Sequence, residues 1–157
     1  MLHRPKDPQF EHRVRSSFSR QAAMQLLGVG LDRVAPGEVV LSLAYREDLT
    51  QQHGFLHAGV VSAVMDSACG YAALSLMEHG VAVLSVEFKV QLLAPARGQR
   101  FVGLGRVVRA GRTLTVVAGE LRAYGREAER GDADPGELVA MLTGTMMTVR
   151  GRPELSD

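Results

Sequence analysis

One aspartate stands inside the least polar stretch of this chain. Asp66 lies within the segment 59–78, where nearly all of its neighbours are apolar or small. Burial of an ionised carboxylate without partners is costly, so such a residue has a partner, faces a cavity or is tuned for a reaction. The segment alone leaves two interpretations open: a catalytic carboxylate, or a structural one that caps a neighbouring segment or faces solvent at an interface.

The start of the same segment is the second chemically interesting feature. His57-Ala58-Gly59 would lie at the N-terminus of a helix, where N–H groups are unpaired and the partial charge is positive. Small residues let a ligand oxygen approach those groups, which makes a natural oxyanion site. The alternative is that Ala58 and Gly59 only let the chain turn into the helix.

The spacing of these features predicts that they cannot meet within one chain. Asp66 follows His57 by nine residues, which on a helix is about 900° of rotation and roughly 13 Å along the axis. The helix start and Asp66 therefore point apart. They can share a site only across a subunit boundary, as in a two-fold dimer.

The element that carries both features is predicted to be a central helix. The segment 59–78 is too long for a strand and is apolar nearly all round, which is typical of a buried helix. Gly70 within it costs about 1 kcal/mol relative to alanine. This cost predicts a close packing contact at Gly70.

The rest of the chain predicts a curved antiparallel sheet around that helix. A period of two over 82–92 places Ala82, Leu84, Val86, Phe88, Val90 and Leu92 on one face and Val83, Ser85, Glu87, Lys89 and Gln91 on the other. The remaining predicted elements are a helix over 10–27, a hairpin at Pro36-Gly37, strands near 99–110, 112–124 and 138–150, and an exposed loop at 125–137. Short turns favour antiparallel neighbours, so the fold class is α+β.

Length and composition predict a single domain. The 157 residues divide into a flexible N-terminal arm (1–9), one domain (10–152) and a C-terminal tail (153–157). The net charge of +1 and the scattered arginines give no reason to expect nucleic acid. The absence of a long apolar segment predicts no membrane association. One cysteine, Cys69, excludes an intrachain disulfide and favours a reducing, cytoplasmic location.

The histidine-to-aspartate pattern resembles a known family. His57-Ala58-Gly59 followed by Asp66 is similar to the His-Gly-Gly…Asp signature of the PaaI-like branch (phenylacetic acid degradation type) of hotdog-fold thioesterases. The stretch from Ser85 to Gly98 is similar to that family's long central strand and Pro-Ala-x-Gly turn. The resemblance covers about residues 20–150. It implies a hotdog fold and hydrolysis of an acyl-CoA to free acid and CoA. It also implies no separate cofactor, and a homodimer at least, with a homotetramer of two dimers as the expected assembly.

The resemblance also implies a role for each candidate residue. Asp66 would act as general base on water or as nucleophile. The N–H of Ala58, together with that of Gly59, would polarise the carbonyl from the partner subunit. Ser85 would position the attacking water, and His57 would fix the loop by a hydrogen bond.

Two departures from the family pattern affect the helix start and the loop before it. Ala58 stands where the family has the first glycine, which keeps the N–H but tightens the approach. Gln51 stands where the family has asparagine, with Gln52 and His53 as alternatives for that role.

Other residues have weaker claims to chemistry. Arg109 and Arg112 flank the Ala110-Gly111 turn and are candidates for the CoA phosphates. Cys69 is interpreted as a packing residue, and the histidines lack metal-ligand spacing, so no metal is expected.

Two other functions remain as alternatives. One is a non-catalytic acyl-CoA-binding module, which would not need the carboxylate. The other is a hotdog hydratase or dehydratase, which would have histidine where Tyr71 stands.

Overall fold

The computed structural model describes residues 3–125 and 135–155. These contain three helices, α1 (Phe10–Ser19), α2 (Ala22–Leu27) and α3 (Ala58–Leu74), and six strands, β1 (Gly30–Ala35), β2 (Glu38–Ala44), β3 (Ala82–Leu92), β4 (Arg100–Ala110), β5 (Leu114–Tyr124) and β6 (Glu137–Val149). Short 3-10 helices occur at Glu47–Leu49 and Pro153–Leu155. Most of the loop predicted at 125–137 lies outside the described residues.

The six strands form one antiparallel sheet in the order β1-β2-β4-β5-β6-β3. Helix α3 packs against its concave side and is most closely seated on β4. A Cβ placed on Gly105 would lie 2.2 Å from the carbonyl carbon of Ala68, so only glycine lets the helix backbone rest on the strand there. The predicted α+β architecture, a curved sheet around one long helix, is confirmed.

The central helix is buried on most sides, as its composition predicted. Val61, Val64, Met65, Ala68 and Ala72 are each at most 1% exposed. The helix ends at Leu74, four residues earlier than expected. At that end the buried guanidinium of Arg13, from α1, donates hydrogen bonds to the carbonyls of Leu74, Met77 and Glu78. A tertiary contact therefore satisfies carbonyl groups that helix termini leave unpaired.

The predicted single helix over 10–27 is divided in two. Helix α1 ends at Ser19, and Gln21 adopts an extended conformation (φ −79°, ψ 93°) before α2 begins. The break reorients the second piece so that Met24 is buried in the core. Gly28, with φ +73°, ends α2 in the left-handed conformation.

The predicted division of β3 into one apolar and one polar face is wrong, because a β-bulge interrupts the strand. The pairing with β6 shifts register between Ser85 and Glu87. A bulge adds one residue and reverses the alternation beyond it. Ser85 therefore shares the concave face with Phe88, whereas Leu84 shares the convex face with Glu87.

The predicted packing contact at Gly70 is also wrong. A Cβ placed on Gly70 would have no described heavy atom within 4 Å. The glycine borders open space, so close packing is not the reason that glycine occupies this position.

The N-terminal segment predicted as a flexible arm contacts the domain over its described part. His3 Nε2 lies 3.1 Å from the carbonyl oxygen of Val107. Asp7 is 6% exposed and its Oδ2 lies 3.4 Å from Arg13 Nη1. This ion pair links the segment to Arg13, whose guanidinium binds the carbonyl groups at the end of α3.

Candidate functional site

Asp66 lies half-buried on the side of α3 that faces β3. The Ser85 hydroxyl donates to Asp66 Oδ1 at 2.7 Å, and the Ser85 oxygen also lies 3.3 Å from Met146 Sδ. The bulge in β3 brings Ser85 to this face. Within residues 3–125 and 135–155, Asp66 has no ion pair. A neutral hydroxyl, rather than a cationic side chain, thus orients the carboxylate.

Asp66 and Ser85 open onto a cavity of about 150 Å³, here called the aspartate cavity. Its other walls come from α3, from β3 and from the junction of α1 and α2. They are Ser17, Gln21, Ser67, Gly70, Tyr71 and Val83. Tyr71 is 7% exposed and packs edge-to-face on Phe18, with ring centroids 5.6 Å apart. The carboxylate therefore faces a space large enough to admit a small group.

The start of α3 leaves one backbone donor available. His57 is the N-cap, and its Nδ1 accepts a hydrogen bond from the Gly59 N–H at 2.9 Å. The His57 carbonyl accepts from the N–H groups of Val60 and Val61. In the described part of the chain, the Ala58 N–H makes no hydrogen bond. Ala58, rather than Gly59, thus offers the free donor at this helix terminus.

Ala58 borders a second cavity of about 410 Å³, here called the helix-start cavity. Gln51, Phe55, Leu92 and Pro95 contribute to its walls. The Gln51 side-chain oxygen accepts from the backbone N–H of His53, so it braces its own loop. Gln52 and His53 are exposed and contact each other at 3.4 Å.

The predicted site residues therefore fall into two groups within one chain. Asp66 and Ser85 meet at the aspartate cavity, while Gln51 and Ala58 lie at the helix-start cavity. His57 and Gly59 are exposed at the helix start. This division agrees with the half-turn offset derived from the sequence.

The two predicted CoA-binding arginines do not lie at the helix start. Arg112 borders a groove with Ala73 and Met77, near the C-terminal end of α3, and Arg109 lies close by at the end of β4. Sequence reasoning missed Arg97, which lies at the helix-start end. Its guanidinium carbon lies 5.0 Å from the centroid of the Phe55 ring. The position of Arg97 in the Pro95-Ala96-Arg97-Gly98 turn is the sequence feature that could have identified it.

Cys69 is excluded as a nucleophile by its surroundings. Burial, with a smaller contribution from the charge of Asp66, raises the pKa of Cys69 to about 12. The thiolate is therefore scarce at neutral pH.

In the described ranges, no group of three His, Cys, Asp or Glu side chains could hold a metal ion. No described helix is both long and apolar enough to cross a membrane.

Comparison with known proteins identifies the family. Residues 53–129 match the Thioesterase superfamily. A Halobacterium salinarum protein, provisionally named an esterase, is 31% identical over 142 residues, covering 87% of this chain and 91% of the relative. Human acyl-coenzyme A thioesterase 13 is 28% identical over 110 residues, covering 64% of this chain and 78% of the relative. The chain belongs to the thioesterase superfamily.

Solved structures agree with this assignment. A thioesterase family protein from Silicibacter pomeroyi is 49% identical, with a TM-score of 0.84 over 90% of this chain and 99% of that one. The PaaI protein of Escherichia coli, from the phenylacetic acid degradation operon, shares the fold at 17% identity and a TM-score of 0.77, over 91% and 95% of the two chains. The predicted hotdog fold and the resemblance to hotdog-fold thioesterases are confirmed. The family supports hydrolysis of a thioester as the general activity.

Proposed function

We propose that this protein hydrolyses acyl-CoA thioesters to the free acid and CoA, with Asp66 as the reacting carboxylate. The observation that carries the proposal is the environment of Asp66. Its carboxylate is oriented by the Ser85 hydroxyl at 2.7 Å, opens onto a cavity and has no cation beside it in the described ranges. A half-buried carboxylate that lines a cavity stands where a substrate group can reach it, which is typical of a functional group.

In the proposed reaction, Asp66 takes a proton from a water molecule as the water oxygen attacks the thioester carbonyl carbon. The carbonyl oxygen gains negative charge, which an N–H donor stabilises, and the carbon–sulfur bond then breaks. The sulfur leaves as a thiolate and takes up the proton that Asp66 removed from water, which restores the Asp66 carboxylate. In the alternative route the Asp66 carboxylate attacks the carbon itself and expels the CoA thiolate, and water then hydrolyses the resulting anhydride to the free acid and the Asp66 carboxylate.

We propose that the oxyanion donor is the N–H of Ala58 of the partner subunit. Within one chain, Ala58 and Asp66 border different cavities, so a complete site needs two chains. Strand β3 offers an interface because it is one of the two edge strands of the sheet. Val86 and Phe88 on it are 54% and 43% exposed. Apolar surface on an open strand edge favours pairing with a second copy.

The direct test compares wild type with Asp66→Asn on acetyl-, butyryl-, hexanoyl- and phenylacetyl-CoA, following release of the free thiol. We expect the variant to lose about 10²-fold or more in kcat, the scale of a general acid–base contribution. The exposed Asp32 receives the same change as a control and should retain activity. The proposal fails if wild type releases no thiol from any acyl-CoA. Comparable rates for wild type and Asp66→Asn would remove Asp66 from the mechanism.

The CoA portion of the substrate has two candidate binding sites. Arg97 directly follows two wall residues of the helix-start cavity, lies over the ring of Phe55, which is another wall residue, and has no ion pair among the described residues. We expect Arg97→Gln to raise KM for butyryl-CoA about tenfold, since a charge-assisted hydrogen bond to phosphate is lost. KM for butyryl-N-acetylcysteamine, which lacks the phosphates, should not change. An effect of Arg109→Gln or Arg112→Gln alone would place the phosphates at the other end of α3.

A further inference from the structure

Gly70 borders the open space of the aspartate cavity. It lies four residues after Asp66, on the same side of α3, and a Cβ there would meet no described atom within 4 Å. Glycine inside a helix costs about 1 kcal/mol relative to alanine. No packing contact explains that cost here, whereas a need for open space beside Asp66 does.

Gln21 contributes a polar group to the same cavity. The break between α1 and α2 turns its side chain toward α3, where Nε2 donates to Ser67 Oγ at 3.3 Å. The other amide atom, Oε1, is buried and has no hydrogen-bond partner in the described part of the chain. A buried polar atom without a partner is destabilising. Gln21 also provides no side-chain cap for α2, so the helix does not account for its amide.

We infer that the aspartate cavity holds the acyl group of the substrate and that Gln21 selects acyl groups carrying a hydroxyl or another hydrogen-bonding group. This inference rests on the proposed acyl-CoA hydrolysis. A volume of about 150 Å³ admits roughly six heavy atoms, which corresponds to a short acyl chain. Turned toward the cavity, the Gln21 amide can accept a hydrogen bond from such a hydroxyl through Oε1 or donate one through its N–H₂, so either polarity of the substrate group is served.

The test compares butyryl-CoA with 3-hydroxybutyryl- and 4-hydroxybutyryl-CoA, as ratios of kcat/KM. We expect wild type to favour at least one hydroxy compound by about tenfold, because the unhydroxylated chain leaves the amide unpaired. Gln21→Leu keeps the side-chain size but removes both polar atoms. It should abolish this preference while butyryl-CoA is still hydrolysed. The matched control is Gln25→Leu, an exposed position one turn along α2 whose amide contacts only the Ser19 carbonyl among described residues.

Varying the length of the substrate's acyl chain tests whether the acyl group lies in the aspartate cavity. Gly70→Leu fills the cavity and should lower kcat/KM for hexanoyl-CoA about tenfold more than for acetyl-CoA. An unchanged hydroxyl ratio in Gln21→Leu would overturn selection by Gln21, and an unchanged length profile in Gly70→Leu would overturn the acyl location. Either result in an enzyme that still hydrolyses butyryl-CoA leaves the proposed function intact. Absence of hydrolysis by wild type would instead reject the proposed function itself.

Discussion

Two neighbouring side chains on α3 show how local surroundings decide chemistry. Asp66 is half-buried, faces a cavity and accepts a hydrogen bond from Ser85. Cys69, three residues later, is fully buried, and its pKa is raised to about 12. From residue type and helix context, the sequence predicted that Asp66 has a partner, faces a cavity or is tuned for a reaction, and that Cys69 is a packing residue. It could not predict that His57 occupies the Gly59 N–H, because that depends on the rotamer of one side chain at the helix start.

The raised pKa of Cys69 has a measurable consequence at high pH. Because the folded pKa lies above the ordinary value near 9, the buried thiol favours the folded state below about pH 9. This contribution is lost as pH rises toward about 12. We expect Cys69→Ala to lose less stability than wild type over that interval, measured by urea denaturation.

The same variant checks the assignment of the reacting group. Cys69→Ala should retain thioester hydrolysis within about twofold, since a scarce thiolate contributes little. Iodoacetamide at pH 8 should label the cysteine rapidly only after unfolding in urea. Rapid labelling of the folded protein, or loss of turnover in Cys69→Ala, would show that the thiol is reactive.

At the scale of elements, side-chain hydrogen bonds fix α3 at both ends. His57 caps its start, and Arg13 binds the carbonyl groups beyond its end. The sequence predicted the helix, because its length and apolar composition are local properties. The break at Gln21 and the bulge after Ser85 were not predictable in this way. Both arise from tertiary packing and sheet pairing, and neither position carries a proline or glycine signal.

Arg13 should be among the residues on which stability depends most. Both it and Asp7, 3.4 Å away, are about 6% exposed. Arg13→Met would leave a buried carboxylate and several carbonyl groups without their partner. We expect a loss of about 3–5 kcal/mol in the free energy of unfolding, measured in urea.

Arg15 provides the comparison for that change. It lies on the same helix, is exposed and pairs with Glu11. Arg15→Met should cost no more than about 1 kcal/mol, the range of surface ion pairs. Adding Asp7→Asn to Arg13→Met should recover part of the loss. Equal effects of the two arginine substitutions would mean that the buried network contributes little.

At the scale of the whole molecule, the single chain keeps the two proposed catalytic groups apart. The carboxylate and the free N–H border separate cavities, and the edge strand β3 exposes apolar side chains. The spacing of His57 and Asp66 predicted this separation because helical geometry is fixed. The sequence could not identify the walls of the cavities, since these come from segments distant in the chain, such as Gln21 and Val83.

Mixed dimers test whether each active site takes residues from two chains. Asp66→Asn removes the carboxylate, and Ala58→Pro removes the N–H. Proline is tolerated at the first position of a helix, and His57 already has the extended conformation (φ −63°, ψ 138°) that suits a following proline. Each variant alone should be nearly inactive. Ala58→Ser, which keeps the N–H, is the matched control and should remain active.

Co-expression of the two variants with different affinity tags allows the mixed dimer to be purified. If sites are shared, one of its two sites carries both substitutions and the other carries neither. Activity per dimer should therefore recover to about half that of wild type. If each site lies within one chain, every site keeps one defect and the mixed dimer stays as inactive as its parents. Absence of recovery in a folded mixed dimer would thus refute the shared site and leave Asp66 to act with a donor of its own chain.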